Sequence, residues 1–265
     1  MEPIRFAFAG DRDIAVRVLE YINQSDVKPL ALLLSSSKQA SHAHELRDLC
    51  PHLGNDAIFQ GTTFRRPNGI NYLRQLKLDY IIAVHFPYIF TNEILDIPKV
   101  GIINLHPAFL PFNRGWHTPS WSILENTSAG ATCHFMDNSI DTGDIIGQEK
   151  LEVALHDTAN SLYQRIKELE FEVFTKCWPQ ILHNSFKRKQ QNVSTGTTHA
   201  RSDLFTPKVQ KIDLEELVRT GDLLQKLRGL TTNNIKESAY FEYNGKRYHV
   251  QVQIYQESID DPTEC

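Results

Sequence analysis

Cysteine is scarce in this chain and badly placed for pairing: Cys50, Cys133, Cys177 and Cys265 are widely separated, and no Cys-x-x-Cys occurs. A disulfide framework or a zinc ribbon needs closer or repeated spacing, so these read as free thiols in a reducing compartment. Long apolar runs are also missing. The run at residues 4–9 breaks into Asp11-Arg12-Asp13 before it reaches the length of a signal peptide. No later run approaches the roughly 20 residues of a membrane span, which points to a cytoplasmic protein with no membrane partner. Basic charge is not in excess: a formal net charge of −4 offers no field for nucleic acid, and Lys187-Arg188-Lys189 reads as a solvated linker. Glycine is missing where a dinucleotide would need it. Gly10-Asp11-Arg12-Asp13 lacks the second and third glycines that let a pyrophosphate approach the backbone, which excludes that use. Asp11 or Asp13 can cap the helix that follows, and Arg12 can instead touch a substrate phosphate.

What is present is an alternation of strands and helices. The run at 4–9 is followed by Ile14, Val18, Leu19 and Ile22 at helical spacing and then by a second apolar run at 29–34. The pattern recurs through Tyr72, Leu73 and Leu76, then residues 79–84, then 101–105, with runs apolar on both faces. Such strands belong inside a parallel sheet covered by helices, so the fold class is α/β with a Rossmann-like, mostly parallel sheet and ligands beyond its carboxyl ends. Residues 158–182 carry Leu162, Ile166, Leu169, Val173 and Phe174 on one face of a long helix that closes the large domain. Residues 183–207 turn polar and read as a linker over the surface. A helix near 214–230 follows, then a hairpin of 240–243 and 248–254 around Asn244-Gly245. The expected division is a catalytic domain 1–182, a linker 183–208, a helix-and-hairpin domain 209–257 and a tail 258–265. Phe241, Tyr243, Val250, Val252 and Ile254, with Leu214, Leu217, Leu223, Leu224 and Leu227, offer more apolar surface than this small unit can cover, so a homodimer through it is expected.

Three polar residues carry the chemistry. Asn104 and His106 stand two apart at the end of an apolar run, so on a strand both emerge on one face, and Asp141 lies in Ile140-Asp141-Thr142-Gly143-Asp144. An amide donor, an imidazole and a carboxylate suit the attack of an amine on a carbonyl: Asn104 and protonated His106 hold the oxyanion, Asp141 manages protons, and no Ser or Cys nucleophile is required. His42-Ala43-His44-Glu45 places two histidines at i and i+2, which point apart on a helix with no third ligand nearby, so no metal is expected. His134 can be substrate-facing or core.

The blocks Asn104-Leu105-His106-Pro107-Ala108-Phe109-Leu110-Pro111, Arg114-Gly115, Ala131-Thr132-Cys133-His134-Phe135-Met136-Asp137 and Ile140-Asp141-Thr142-Gly143-Asp144-Ile145-Ile146 resemble, in order, the signature of the formyltransferases that use N10-formyltetrahydrofolate. The resemblance implies that Asn104, His106 and Asp141 are catalytic and that N10-formyltetrahydrofolate is the co-substrate, without a metal. It also implies that the segment His85, Phe86, Tyr88 and Ile89 walls the pterin together with Asp137, Asn138 and Ile140. Phe86, Tyr88 and Ile89 can equally be core.

Known members act on glycinamide ribonucleotide, methionyl-tRNA or nucleotide-linked amino sugars. Trp121-Ser122-Ile123-Leu124 after Gly115-Trp116-His117-Thr118-Pro119, Gly196-Thr197-Thr198-His199, and Leu227-Arg228-Gly229-Leu230-Thr231 before Ala239-Tyr240-Phe241 look like the sugar enzymes of bacterial O-antigen and capsule pathways. The acceptor so implied is dTDP-4-amino-4,6-dideoxyglucose. A dTDP-3-amino-3,6-dideoxyhexose, a GDP- or UDP-linked amino sugar, glycinamide ribonucleotide, methionyl-tRNA and a non-catalytic folate- or nucleotide-binding role are the alternatives. His117-Thr118-Pro119 departs from the Asn-before-Pro of many relatives, which bears on the sugar. Arg12, Trp116, Arg228 and Tyr240 are the candidates for the nucleotide-sugar side, by stacking and by a guanidinium fork on phosphate.

Overall fold

The structure is a computed structural model that describes residues 3–36 and 42–257; Cys265 and the expected tail 258–265 lie outside the described residues. The first half alternates as its apolar runs require: β1 (Phe6–Gly10), α1 (Arg12–Ile22), β2 (Ala31–Leu34), α2 (Ala43–Asp48), β3 (Ile58–Gln60), α3 (Pro67–Gln75), β4 (Tyr80–Val84), α4 (Asn92–Leu95) and β5 (Gly101–His106). The chain continues through β6 (Arg114–Gly115), α5 (Thr118–Leu124), β7 (Ala129–Phe135), β8 (Ile145–Leu151) and α6 (Ala159–Leu182). Last come β9 (Thr198–His199), α7 (Pro207–Gln210), α8 (Thr220–Gly229), β10 (Ala239–Tyr243) and β11 (Lys246–Val250).

The main sheet of the described residues has seven strands in the order β3-β2-β1-β4-β5-β7-β8. β1 pairs in parallel with both β2 and β4, so the strand order reverses about β1 and opens a crevice at the carboxyl ends of β1 and β4. β7 and β8 return antiparallel, which keeps the sheet mostly parallel. Because successive side chains alternate, each strand feeds two cores. Phe6, Phe8, Ile82, Val84, Ile103 and Leu105 pack beneath α1 and α6, whereas Ala7, Ala9, Ile81, Ala83 and Ile102 pack with Leu73 and Ile94 on the other face. α6 starts where expected because Thr158 and Ser161 form a reciprocal capping box.

The carboxyl-terminal third departs from the sequence reading in three places. The helix expected from residue 214 starts at Thr220: Asp213 accepts the Glu215 N–H in a turn, and Leu214 and Leu217 are left exposed among the described residues. The second hairpin strand ends at Val250 because β10 begins at Ala239, and the Val252 N–H goes instead to the Thr231 hydroxyl at 3.1 Å. The turn itself is as expected, with left-handed Asn244 and Gly245 at φ 49° and 69°. Residues 183–207, read as a linker, are tied into the large domain. Lys189 exchanges both backbone hydrogen bonds with Ile145, and β9 pairs with β6.

Candidate active site

Ile103 and Leu105 are in the core beneath α6, so Asn104 and His106 emerge together on the opposite face of β5. β7 sets His134 directly across from Asn104. Asp141 arrives on the loop between β7 and β8 with a left-handed backbone, φ 53°. Its Oδ2 accepts the Gly115 N–H at 2.9 Å and lies 3.6 Å from His106 Nε2, which also faces the Asn113 carbonyl at 3.4 Å. With acceptors on both sides, Nε2 is the nitrogen of His106 that carries a proton. The structure thus brings together the three residues the sequence singled out.

Burial pushes the Asp141 carboxyl up, but His106 above all, with the Gly115 N–H and Arg114, holds it below its ordinary value, so it is ionised at neutral pH. His134 is fully buried, and desolvation lowers its pKa to about 4 against the opposing pull of Asp141. Its Nδ1–H donates to the Phe135 carbonyl at 2.7 Å, leaving Nε2 to accept from the Asn104 amide at 3.2 Å. The 3.7 Å approach of His134 Nε2 to Asp141 Oδ1 is then a meeting of two acceptors and not an ion pair. His134 orients Asn104: one amide N–H is used, and the other remains to donate.

A pH dependence follows from the buried imidazole. Between the ordinary histidine value of 6.5 and about 4, the unfolded chain binds a proton that the folded chain excludes, so stability falls as pH falls through that window. At about 1.4 kcal/mol per unit the loss is on the order of 3 kcal/mol. Urea unfolding of the parent at pH 7 and pH 4.5 should show most of this loss, and His134→Gln should show a clearly smaller one; equal losses contradict the assignment.

The loop that carries Asp141 is held from the segment read as a linker. The buried Gln191 amide donates to the carbonyls of Asp141 at 3.0 Å and Gly143 at 2.6 Å. Asp137 is spent within the same loop, accepting the Ser139 N–H and the Thr142 hydroxyl, while Asn138 and Ile140 are exposed. After β4, Phe86 is half-buried between Phe64 and Phe90, and the Tyr88 hydroxyl accepts the Ser36 N–H. Ile89 is left 77% exposed, and Ile140 on the other loop 55%. His85 is not an open contact residue: its ring is engaged by Glu170 and Tyr163. Among the described residues no group of His, Cys, Asp and Glu is arranged to hold a metal.

On the acceptor side the candidates divide. Asp11 is the cap of α1, accepting the Arg12 N–H, and Arg12 itself is exposed at the crevice with φ 73°. Trp116 is exposed beside Gly115, with the Arg201 guanidinium 5.2 Å from its ring centre. Arg228 and Tyr240 require correction. The Arg228 guanidinium already donates to the carbonyls of Asp157 and Ala154, at 2.8 and 2.6 Å, which ties α8 to the large domain. Tyr240 is buried with Arg247 covering its ring at 3.9 Å. Both side chains are engaged within the chain.

The comparisons with known proteins bear on both halves of the chain. Residues 4–177 match the family model described as formyl transferase, and residues 206–256 match one described as the N-formyltransferase dimerization C-terminal domain. A dTDP-4-amino-4,6-dideoxyglucose formyltransferase of Mycobacterium tuberculosis is 27% identical over 176 residues, 66% of this chain and 73% of that protein. Methionyl-tRNA formyltransferases match at 27–31% identity. The crystal structure of a 4-N formyltransferase from Francisella tularensis superposes with a TM-score of 0.81 at 27% identity, covering 96% of this chain and 99% of that one. An N-formyltransferase from Helicobacter canadensis, in complex with folinic acid and dTDP-3-aminofucose, superposes with a TM-score of 0.66 at 23% identity, covering 91% and 85%.

Proposed function

We propose that this chain, which belongs to the formyl transferase family, moves a formyl group from N10-formyltetrahydrofolate to the amine of a nucleotide-linked amino-dideoxysugar. The observation that carries this reading is the cluster of Asn104, His106 and Asp141, with Asp141 Oδ2 at 3.6 Å from His106 Nε2 in a chain of which 96% superposes on a 4-N formyltransferase. dTDP-4-amino-4,6-dideoxyglucose is the favoured acceptor, supported by the Mycobacterium tuberculosis relative and by the 4-N enzyme. O-antigen, lipopolysaccharide or capsule assembly in the cytoplasm is the setting in which such a product is used.

The donor supplies an activated formyl carbon, and Ile89 and Ile140, apolar and exposed on the two loops that flank the site, suit a flat aromatic ring. The residues then divide the work. As the unprotonated amine attacks the formyl carbon, negative charge develops on the formyl oxygen. His106 Nε2–H and the free N–H of Asn104 donate to that oxygen. Asp141 takes the proton released by the new C–N bond, and as the old C–N bond breaks that proton is returned to the departing nitrogen. Trp116 and Arg12 are the proposed contacts to the nucleotide sugar, by stacking and by charge.

The test is formylation by full-length protein of a panel of dTDP-4-amino, dTDP-3-amino, UDP- and GDP-linked amino sugars, glycinamide ribonucleotide and methionyl-tRNA, read by mass. The expected result is fastest turnover on a dTDP-4-amino sugar. Preference for methionyl-tRNA or glycinamide ribonucleotide overturns the acceptor while leaving the chemistry.

We propose further that residues 1–182 are the catalytic unit and 209–257 the dimerising one. Leu214, Leu217, Val218, Leu224 and Tyr243 are exposed within the segment matched by the dimerization model, and a two-fold partner presenting the same surface would cover them. Light scattering at micromolar concentration should give a dimer for the parent and a monomer for Leu217→Asp combined with Leu224→Asp. A monomeric parent contradicts this.

A further inference from the structure

Glu170 is a carboxylate without access to water. It is fully buried on α6, and its two oxygens sit 2.8 and 2.9 Å from a single nitrogen, Nε2 of His85. A carboxylate of this kind only accepts, so Nε2 carries the proton. Nδ1 of the same ring faces the Tyr163 hydroxyl at 3.3 Å, with the two rings 23° from parallel. The formyl-transfer steps above use none of these groups, yet a buried carboxylate is tolerated only where a partner satisfies it.

The row bears on the loop after β4. Ile81 and Ala83 point into one core, and Ile82 and Val84 into the core beneath α6. Continued alternation would place His85 with Ala83, on the face away from α6. The backbone instead turns left-handed at His85, φ 51°, and the side chain reaches Glu170 on α6. A residue with a Cβ enters that conformation against a steric penalty, so the turn needs a hold. Beyond it the chain falls back to the opposite face, where Phe86 and Tyr88 pack and Ile89 is left exposed. Val84 pairs with Leu105, which puts this turn one strand away from His106.

We propose that Glu170 and His85, backed by Tyr163, are positioning residues for the formyl donor: the buried pair locks the left-handed turn and so sets residues 86–89 as a rigid wall for the donor's ring. The proposal rests on the folate reading above. Neither residue touches reacting atoms, so loss of the pair should loosen the donor and spare the amino-sugar nucleotide.

The experiment uses full-length protein, calorimetric titration with tetrahydrofolate, and Michaelis constants for both substrates. Glu170→Leu fills the space without an acceptor. His85→Asn keeps a residue that tolerates the left-handed turn but breaks the pair. Both should weaken tetrahydrofolate about tenfold or more and raise the donor's Michaelis constant to match, as expected when a preorganised wall is lost. The sugar nucleotide's constant should stay within about twofold, and Glu170→Gln, which still accepts from Nε2–H, should bind within about threefold of the parent. Should Glu170→Leu fail to fold, His85→Asn and Glu170→Gln carry the comparison. Unchanged tetrahydrofolate affinity in His85→Asn, or constants for both substrates rising together without rescue by Glu170→Gln, overturns the anchor alone. A parent that binds no tetrahydrofolate overturns the donor reading and the anchor with it.

Discussion

Asp141→Asn should lower turnover by at least about 100-fold while leaving the fold intact. The amide is nearly isosteric, and its oxygen can still accept the Gly115 N–H that holds the carboxylate at 2.9 Å. It carries no charge and takes no proton, so it can neither support the imidazolium of His106 nor receive a proton from the attacking amine. The effect therefore belongs in kcat, with both Michaelis constants within about threefold of the parent. Asn104→Ala and His106→Ala each remove one donor to the oxyanion, which typically costs about 3–4 kcal/mol of barrier. If the three residues act on one transition state as proposed, a double variant should lose less than the product of the single losses. Steady-state kinetics on purified variants check all of this; turnover within a fewfold of the parent in all three sinks the assignment.

Gly143→Ala should damage stability and turnover together. A Cβ there would stand 2.0 Å from the Phe135 carbonyl oxygen and 2.7 Å from its carbon, both in the backbone of β7, so neither can swing aside. The loop must move instead, and that loop carries Asp141 two residues earlier and is bound through the Gly143 carbonyl to Gln191 at 2.6 Å. Overpacking of this kind costs about 1–3 kcal/mol of stability. A displacement near 1 Å at Asp141 costs on the order of 100-fold in rate. Thermal unfolding and kcat should fall together. A Gly143→Ala protein with parental activity would show that the placement of Asp141 does not depend on this contact.

The parts of this molecule that were legible in the sequence rest on local periodicity. Asn104 and His106 share a face because strand alternation is a property of the backbone, and the central strands are parallel because residues such as Phe6, Phe8, Ile82 and Val84 need burial on both sides. The missing parts rest on contacts between distant segments. His134 could be read as either substrate-facing or core, because its partner depends on β7 returning antiparallel beside β5. A histidine between Cys133 and Phe135 in a buried strand does signal an unmet hydrogen bond, and that signal pointed to a partner without naming it. Gln191 was hidden because a polar stretch looks like a linker even when one side chain folds back 50 residues to grip the loop that carries Asp141. Arg228 and Tyr240 misled for the opposite reason: side chains suited to a nucleotide are just as well suited to a carbonyl pair and to a guanidinium of the same chain. The helix expected from residue 214 begins only at Thr220, because Leu214, Leu217 and Val218 at its expected start are exposed while Leu227 further along is packed.

The central claim is that Asn104, His106 and Asp141 carry a formyl group from folate to the amine of a dTDP-amino sugar. A single-turnover reaction tests it most directly: excess full-length enzyme, N10-formyltetrahydrofolate and dTDP-4-amino-4,6-dideoxyglucose, with the nucleotide sugar followed by mass. The account predicts one formyl group on the amine with the parent, and formation slower by about 100-fold or more with Asp141→Asn at saturating substrates. A nucleotide sugar that stays unmodified with the parent, or one formylated at the parental rate by Asp141→Asn, would contradict it.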